Sequence, residues 1–295
     1  MSDQAPAFPI TEKAYAKLNI SLDVTARRAD GYHDMLMIMQ TVSLCDELTI
    51  TPESDGNVFA ASGLPYVPGD KRNLAVRAAL KYLELVGDEG RGMKIALRKR
   101  IPVGAGMAGG SADAAAVLRA LNRAYGEPLT AEELCAAGQT VGSDVAFCLR
   151  GGTALASGRG EILTPLAALP DCRFVICKPD FSISTPELFK KLDESRTSCH
   201  PDTDGLLAAL GRGDLDGICR RMYNVFEDVP DRRMRTIRAA KGALLDCGAL
   251  GALMTGTGSA VFGVFRDAER AERARAELAK EYRFCCTAVA VGAQL

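Results

Sequence analysis

A glycine-rich segment carries the strongest chemical signal in the sequence. It runs from Pro102 to Ala112 and has the spacing G-x-G-x-x-G at Gly104, Gly106 and Gly109. Glycines let backbone N–H groups approach an anion because no Cβ stands in the way. An alanine-rich helical pattern follows, and the first turn of a helix has unpaired N–H groups and a partial positive charge. The pattern favours a phosphate-binding loop, with a tight structural loop as the alternative.

The surroundings of this loop exclude three familiar kinds of nucleotide site. A proline interrupts the strand that a Rossmann dinucleotide loop requires, and no Lys-Ser/Thr pair closes the loop as in a Walker A motif. No H-R-D or D-F-G motif of the protein kinases follows. The predicted loop residues are Pro102, Val103, Gly104, Ala105, Gly106, Met107, Ala108, Gly109, Gly110, Ser111 and Ala112.

Two charged residues could add proton-transfer chemistry to such a loop. Lys17 lies on the polar face of an alternating strand pattern, and Asp144 follows Gly142-Ser143. Each has an ordinary alternative, because a lysine on a strand is usually solvated and an aspartate at this place could cap a helix. Together, near a bound phosphate, they suit phosphoryl transfer. The aspartate would accept a proton from an attacking hydroxyl, and the lysine would keep it ionised and offset charge on the transferred group.

Two further segments have residue types suited to ligand binding. Residues 29–33, Ala-Asp-Gly-Tyr-His, place an aromatic ring beside one of the chain's two histidines. An exposed turn is the alternative interpretation. Residues 255–259, Thr-Gly-Thr-Gly-Ser, separate two strand patterns. They are either a plain hairpin turn or a second nest of backbone N–H groups facing the same phosphate.

The strand and helix patterns indicate how these segments are positioned. Several strand patterns precede the first helix, which is typical of an antiparallel sheet, and the chain ends in a split β-α-β order. This order indicates an α+β fold, and the two prolines within residues 163–170 favour a boundary there, which gives domains at 1–163 and 164–295. The strands are predicted near 14–24, 35–44, 47–52, 56–60, 93–97, 173–178, 250–254, 260–265 and 283–291. The helices are predicted near 70–86, 111–125, 185–194, 203–210, 214–228, 231–246 and 267–281, with a further helix after a capping box formed by Thr130 and Glu133.

Composition narrows the range of partners. The 295 residues include 36 Lys and Arg against 37 Asp and Glu, so the net charge of −1 gives no reason to expect nucleic acid or an anionic membrane as a partner. The ten cysteines are scattered without a C-x-x-C motif, so we expect no metal site built from protein ligands. The first residues have no signal-peptide pattern, so we expect a cytoplasmic location. Nothing indicates an obligate protein partner.

In this order, the segments resemble the GHMP kinases, which phosphorylate small alcohols with ATP. The resemblance spans residues from about 13 to 292. It rests on the lysine strand, the two glycine loops and Gly-Ser-Asp at 142–144. Residues 16–19, 28–33 and 158–165 resemble more specifically the members that act on methylerythritol carried by cytidine diphosphate, in the formation of isoprenoid precursors. The resemblance implies a two-domain α+β fold with the active-site cleft between the domains.

The resemblance also implies roles for individual residues. Asp144 would be the catalytic base and Lys17 its partner. The loop at 102–112 would bind the phosphates of ATP, with Asn73 near the nucleotide. Many relatives have Ser-Ser where this chain has Gly109-Gly110, so Mg²⁺ would be held mainly by ATP phosphates and water rather than by protein ligands.

A second set of residues is implied for the substrate with its cytidine diphosphate group. Tyr32 and Phe189 would stack on opposite faces of the base, an arrangement that stabilises a base without charge. The full set is Asn19, Tyr32, His33, Thr185, Phe189, Gly256, Thr257 and Gly258. Two alternatives stay open: another GHMP kinase acting on a mevalonate-type or amino-alcohol substrate, or a nucleotide-binding module without catalysis.

Overall fold

The structure, a computed structural model, describes residues 6–195 and 199–295. These residues form two β-sheets with helices packed against them. The strands are β1 (Ile10–Arg27), β2 (His33–Glu53), β3 (Val58–Ser62), β4 (Gly92–Arg98), β5 (Thr153–Ser157), β6 (Ile162–Pro165), β7 (Arg173–Lys178), β8 (Tyr223–Asn224), β9 (Gly251–Met254), β10 (Val261–Phe265) and β11 (Phe284–Val289). The helices are α1 (Leu74–Val86), α2 (Gly109–Ala124), α3 (Ala131–Val141), α4 (Val145–Arg150), α5 (Thr185–Glu194), α6 (Thr203–Gly211), α7 (Leu215–Arg221), α8 (Met234–Asp246) and α9 (Ala268–Leu278), with a 3-10 helix at Val225–Asp228.

The larger sheet is built around the long antiparallel pair β1 and β2. Its order is β3–β4–β2–β1–β8, and β5 pairs with β2 and with β6. The pairs β3–β4 and β1–β8 are parallel. Helix α2 packs on β1 and β2 and also contacts α1, α3 and α4, so it is enclosed on several sides. This sheet therefore positions both the strand that carries Lys17 and the loop that leads into α2.

The smaller sheet has the order β11–β7–β10–β9 and is antiparallel throughout. Because β7 lies antiparallel between β10 and β11, those two strands are parallel to each other and are joined through α9. This is the split β-α-β order predicted at the end of the chain. Helices α8 and α9 pack against this sheet. The α+β fold predicted from the sequence is confirmed.

The structure differs from the sequence predictions at three places. The strand patterns at 35–44 and 47–52 belong to one continuous strand, β2. The first helix begins after Asn73 rather than at Asp70, because the Asn73 side chain accepts a hydrogen bond from Ala75 N, whereas the Asp70 carboxylate pairs with Arg72. The helix predicted over 214–228 ends at Arg221, and the next residues form β8 against β1.

The two halves of the chain are interleaved. The boundary proposed after residue 163 falls inside β6, which pairs with β5 of the larger sheet. Strand β8, from the second half, also joins this sheet, and Ala290 and Ala293 form bridges to Val42 and Gly151. The division at 163 stays a prediction. In the described ranges no helix is both long enough and apolar enough to cross a membrane. The cytoplasmic location also stays a prediction.

Candidate active site

The glycine-rich loop joins β4 to α2 and is held in place by buried side chains. Ala105 and Met107 are buried, and the carbonyl oxygen of Met107 accepts a hydrogen bond from Lys17 N at 3.2 Å. Helix α2 starts at Gly109, with Ala108 as its N-cap residue in the left-handed region at φ 56°. Alanine has no polar side chain with which to cap the helix. The first N–H groups of this 16-residue helix are therefore available to an anion.

The second glycine loop packs directly onto the first. A Cβ at Gly106 would overlap the carbonyl oxygen of Thr255, and a Cβ at Gly256 would lie 2.8 Å from the carbonyl oxygen of Gly106. Both glycines also have positive φ, 75° and 56°. The hydroxyl of Thr255 donates to Gly106 O at 3.3 Å, and Ala260 N donates to Ala105 O at 3.2 Å. The two loops therefore form one unit that requires glycine on each side of the contact.

Lys17 and Asn19 lie next to this unit on β1. Irregularities in the β1–β2 register fall on either side of them, between Tyr15 and Lys17 and between Asn19 and Ser21. Such bulges re-aim side chains along a strand. Lys17 is 5% exposed, so the solvated alternative does not apply. Its Nζ donates to Asn19 Oδ1 at 2.5 Å, and the same oxygen accepts from Gly256 N at 3.1 Å.

Asp144 faces the lysine from the start of α4. Its Oδ2 lies 3.9 Å from Lys17 Nζ, and its side chain is 31% exposed. It occupies the N-cap position of α4, but its carboxylate makes no capping hydrogen bond there. Asp144 therefore lies at the cap position, as the alternative interpretation expected, but its carboxylate does not cap the helix. The carboxylate is left free to accept a proton from a hydroxyl brought next to it.

A cleft of about 1090 Å³ contains this pair. A smaller cavity of about 350 Å³ lies on the other side of the glycine-rich loop and is lined by all but one of the loop residues from Pro102 to Ala112. Leu74, Gly106, Ala108 and Ser111 line both spaces. The loop and the start of α2 therefore stand between two cavities, so one ligand could reach the loop from each side.

Asn73 lies at the wall of the smaller cavity, and its predicted place near the nucleotide stays a prediction. Both ends of its amide are engaged within the protein. The oxygen accepts from Ala75 N at 3.0 Å, and the nitrogen donates to the carbonyl oxygen of Pro68 at 2.8 Å. Asn73 therefore shapes the cavity wall by holding the start of α1.

The predicted aromatic residues all line the large cleft. Tyr32 is 54% exposed, and the guanidinium carbon of Arg159 lies 3.7 Å from the centre of its ring. Phe189 stacks on His33 with ring centres 4.7 Å apart and an interplanar angle of 29°. His33 Nε2 lies 2.7 Å from Asp193 Oδ1 on α5. Tyr32 and Phe189 thus belong to one cleft, although the ring stacked on Phe189 is that of His33.

Four other predicted residues lie where α5 meets the second glycine loop. The hydroxyl oxygens of Thr185 and Thr257 are 2.9 Å apart, and both residues line the cleft with Gly256. Gly258 is buried behind them, where a Cβ would lie 2.7 Å from the sulfur of Met254. It therefore shapes the turn rather than the cleft surface.

The sequence matches the GHMP kinases N terminal domain over residues 73–152 and the GHMP kinases C terminal family over residues 206–283. It is 42% identical over 271 residues to a 4-diphosphocytidyl-2-C-methyl-D-erythritol kinase of Alkaliphilus metalliredigens, covering 92% of this chain and 93% of the relative. The chain belongs to the GHMP kinases. The family predicted from the sequence is confirmed.

Solved structures of GHMP kinases share the fold over the whole chain. A crystal structure of 4-(cytidine 5'-diphospho)-2C-methyl-D-erythritol kinase superposes with a TM-score of 0.81 at 36% identity, covering 96% of this chain and 99% of that one. A homoserine kinase from Cytophaga hutchinsonii has a TM-score of 0.73 at 21% identity, covering 100% of this chain and 98% of that one. The second similarity concerns the fold alone.

Two residues of this GHMP kinase site were not singled out from the sequence. The amide nitrogen of Asn224 donates to the carbonyl oxygens of Met254 and Gly256, both at 2.8 Å, and so fixes the second glycine loop. The sequence around Asn224 has a helical pattern, so no local feature indicated that this residue fixes the loop. Arg159 lies in the segment 158–165 that carried the family resemblance, but only the fold brings it over Tyr32.

Proposed function

We propose that this chain transfers the γ-phosphoryl group of ATP to the 2-hydroxyl of 4-diphosphocytidyl-2-C-methyl-D-erythritol. The observation that carries the proposal is the Lys17–Asp144 pair, 3.9 Å apart, beside a loop that separates two cavities. The nature of the alcohol rests on relatives about 42% identical over most of the chain, which have this kinase name. The acceptor is a small molecule with a cytidine diphosphate group.

ATP would occupy the smaller cavity, with its phosphates on the loop from Pro102 to Ala112. The backbone N–H groups at the start of α2 and the hydroxyl of Ser111 would bind the phosphates. The described residues bring together no group of three or more His, Cys, Asp or Glu that could hold a metal ion. Mg²⁺ commonly keeps several waters and binds substrate phosphates, so the chain fits a metal carried by ATP. When bound, Mg²⁺ would supply neutralisation of the phosphate charge.

Asp144 would act on the acceptor hydroxyl from the opposite side of the loop. It accepts the proton of that hydroxyl as the oxygen attacks the γ-phosphorus. Lys17 keeps the carboxylate ionised and offsets the charge that develops on the transferred group. Asn19 holds the Lys17 ammonium in place and at the same time binds the second glycine loop through Gly256 N. The protein thus contributes mainly by positioning groups and by electrostatics.

The cytidine diphosphate end would occupy the aromatic part of the large cleft. Tyr32, His33 and Phe189 offer flat surfaces on which a base can stack, each worth about 1–3 kcal/mol by alanine substitution. Thr185 and Thr257 add hydroxyl groups between this region and the reacting hydroxyl. The substrate would therefore extend from the aromatic cluster to Asp144.

The proposal is tested by release of ADP with the cytidyl substrate. We expect Asp144→Asn to lower kcat by roughly 10²- to 10⁴-fold, the range for loss of a general base, while binding of ATP and substrate persists. Asp246→Asn, at the end of α8 and outside the cleft, is the matched control and should keep full activity. Normal turnover by Asp144→Asn would remove this residue as the base. Absence of turnover by the wild type would refute the proposed substrate.

A further inference from the structure

A buried group of three charges lies beneath the glycine-rich loop. Lys99, just after β4, places its Nζ 2.5 Å from Asp46 Oδ2 and 2.5 Å from Asp113 Oδ2. The three side chains are at most 5% exposed. We call Lys99, Asp46 and Asp113 the buried triad. None of its members has a part in the chemistry proposed above.

The triad is unbalanced when all its members are ionised, since two carboxylates then share one ammonium. Because both carboxylates are 2.5 Å from one nitrogen, their bound oxygens are no more than twice that distance apart. The excess negative charge is costly to bury unless it is neutralised. One added proton on a carboxyl group makes the triad neutral.

Asp113 is the member suited to take that proton. Asp46 Oδ1 already accepts hydrogen bonds from Arg100 N at 2.5 Å and from Ile101 N at 2.8 Å. Asp113 Oδ1 is buried and accepts no hydrogen bond from any residue in the described ranges. Burial, together with the charge of Asp46, raises the pKa of Asp113 to about 7 against the opposing effect of Lys99.

Lys99 and Asp46 are the charged groups with the largest effect on Asp113, and four other groups near α2 are neutral or paired. Cys148 on α4 is close, but burial raises the pKa of its thiol to about 12, so it is neutral. Tyr82 on α1 donates its hydroxyl to Asn122 and is neutral as well. Glu12 and Lys17 on β1 pair with Arg119 and Asp144.

The triad is in contact with the loop proposed to bind phosphate. Lys99 and Asp113 line the smaller cavity together with the loop, and a Cβ at Gly109 would lie 3.6 Å from Lys99 Nζ. Asp113 lies one helical turn after Gly109 on α2. A change in the triad's charge therefore occurs close to the N–H groups at the start of that helix.

We propose that Asp113 is a positioning residue whose protonation sets the charge under the phosphate loop, so that ATP binds more tightly to the protonated triad than to the ionised one. The inference rests on the proposed function, because it takes the loop as the ATP site. The ionised triad has a net negative charge that opposes the phosphates, whereas the protonated triad is neutral. A single charge close to a ligand is expected to change affinity by roughly three- to tenfold at an effective dielectric constant near 20 or above.

Binding of Mg²⁺-ATP, measured by calorimetry between pH 5.5 and 8.5, tests this inference. The terminal phosphate of ATP itself titrates near pH 6 to 7, so the readout is the difference between wild type and Asp113→Asn. We expect wild-type affinity to fall roughly three- to tenfold more than that of Asp113→Asn as the pH rises through 7. With turnover, the difference should appear in KM for ATP and not in kcat. Asp55→Asn, in an exposed turn, is the control and should follow the wild type.

Thermal unfolding gives a second readout that does not depend on ATP. The folded-state pKa of Asp113 lies above the unfolded value of 3.8, so wild-type stability is lost as the pH rises from about 4 to about 7. The melting temperature of Asp113→Asn relative to wild type should therefore rise with pH. Asp113→Ser provides a second neutral variant should the asparagine disturb folding.

Parallel pH profiles of ATP affinity in wild type and neutral variants would overturn the inference. Failure of the wild type to bind ATP at any pH would instead refute the proposed ATP site.

Discussion

At the scale of single residues, the site depends on charged side chains and on close backbone packing between the two glycine loops. The ammonium of Lys17 is held by Asn19, and Asn19 also binds the loop at Gly256. A change in the second glycine loop would therefore move the lysine as well as the substrate. The phosphates would be held by backbone N–H groups rather than by a row of basic side chains, which agrees with a net charge of −1.

The aromatic surface of the cleft gives a prediction at this scale. Tyr32→Ala should raise KM for the cytidyl substrate about tenfold, because it removes one stacking surface worth about 1–3 kcal/mol. KM for ATP should not change, since Tyr32 lines only the large cleft. Steady-state kinetics with each substrate varied in turn measures both constants.

Tyr32→Phe is the matched control for that variant, since it keeps the ring and loses only the hydroxyl. Its KM for the cytidyl substrate should stay close to that of the wild type. An unchanged KM in Tyr32→Ala would count against a base in this part of the cleft and would favour a GHMP kinase acting on an alcohol without one.

At the scale of elements, the position of α5 depends on one buried carboxylate. Asp231 Oδ2 lies 2.6 Å from Lys191 Nζ on α5 and 2.6 Å from a terminal guanidinium nitrogen of Arg233. Hydrogen bonds from Arg233 hold the pKa of Asp231 far below its usual range. Helix α5 also carries Thr185 and Phe189 into the cleft. The ion pairs of Asp231 with Lys191 and Arg233 therefore connect the start of α8 to the wall that would bind the cytidyl substrate.

We expect Asp231→Asn to loosen α5 and to raise KM for the cytidyl substrate several-fold, with little effect on KM for ATP. It should also lower the free energy of unfolding by about 2 kcal/mol, the scale of a lost hydrogen bond to a charged group. Urea unfolding and steady-state kinetics measure the two effects. Asp216→Asn breaks an Asp–Arg pair between α7 and Arg266 at the surface and serves as the control. Equal effects of both variants on substrate KM would show that α5 is positioned by other contacts.

Elements were predictable where local sequence determines them. Gly87 ends α1 in the left-handed region, and the capping box of Thr130 and Glu133 begins α3, as the sequence indicated. The helix expected through Tyr223 and Asn224 was wrong, because pairing with β1 and the hydrogen bonds of Asn224 override a local helical preference. Tertiary contacts of this kind leave no local pattern.

The predicted site shows the same limit. Residue types and spacing indicated a phosphate loop, but 127 positions separate Lys17 from Asp144, and only the fold or a family resemblance brings them together. The role of Arg159 over Tyr32 could not be foreseen, since it depends on the hairpin of β5 and β6 reaching the turn before β2.

At the scale of the whole molecule, the end of the chain joins the two sheets. After β11 of the smaller sheet, Val291 N donates to Thr41 O at 2.9 Å, and Gln294 N donates to Arg150 O at 2.7 Å. Gln40 Nε2 also donates to Val291 O at 3.1 Å. The cleft depends on groups from both halves, so this connection helps to hold the halves in register.

Removal of residues 290–295 should therefore lower the stability of the whole fold without touching Lys17 or Asp144. Three hydrogen bonds at about 1 kcal/mol each predict a loss of roughly 3 kcal/mol in the free energy of unfolding. Urea unfolding followed by circular dichroism measures this loss. Removal of Leu295 alone is the control, because it leaves all three hydrogen bonds intact. Lys17 and Asp144 both belong to the first half, whereas the cytidyl substrate would also contact α5 of the second half. We therefore expect KM for the cytidyl substrate to rise by a larger factor than kcat falls, both measured at low temperature. Unchanged stability would show that the sheets are held together by the core alone.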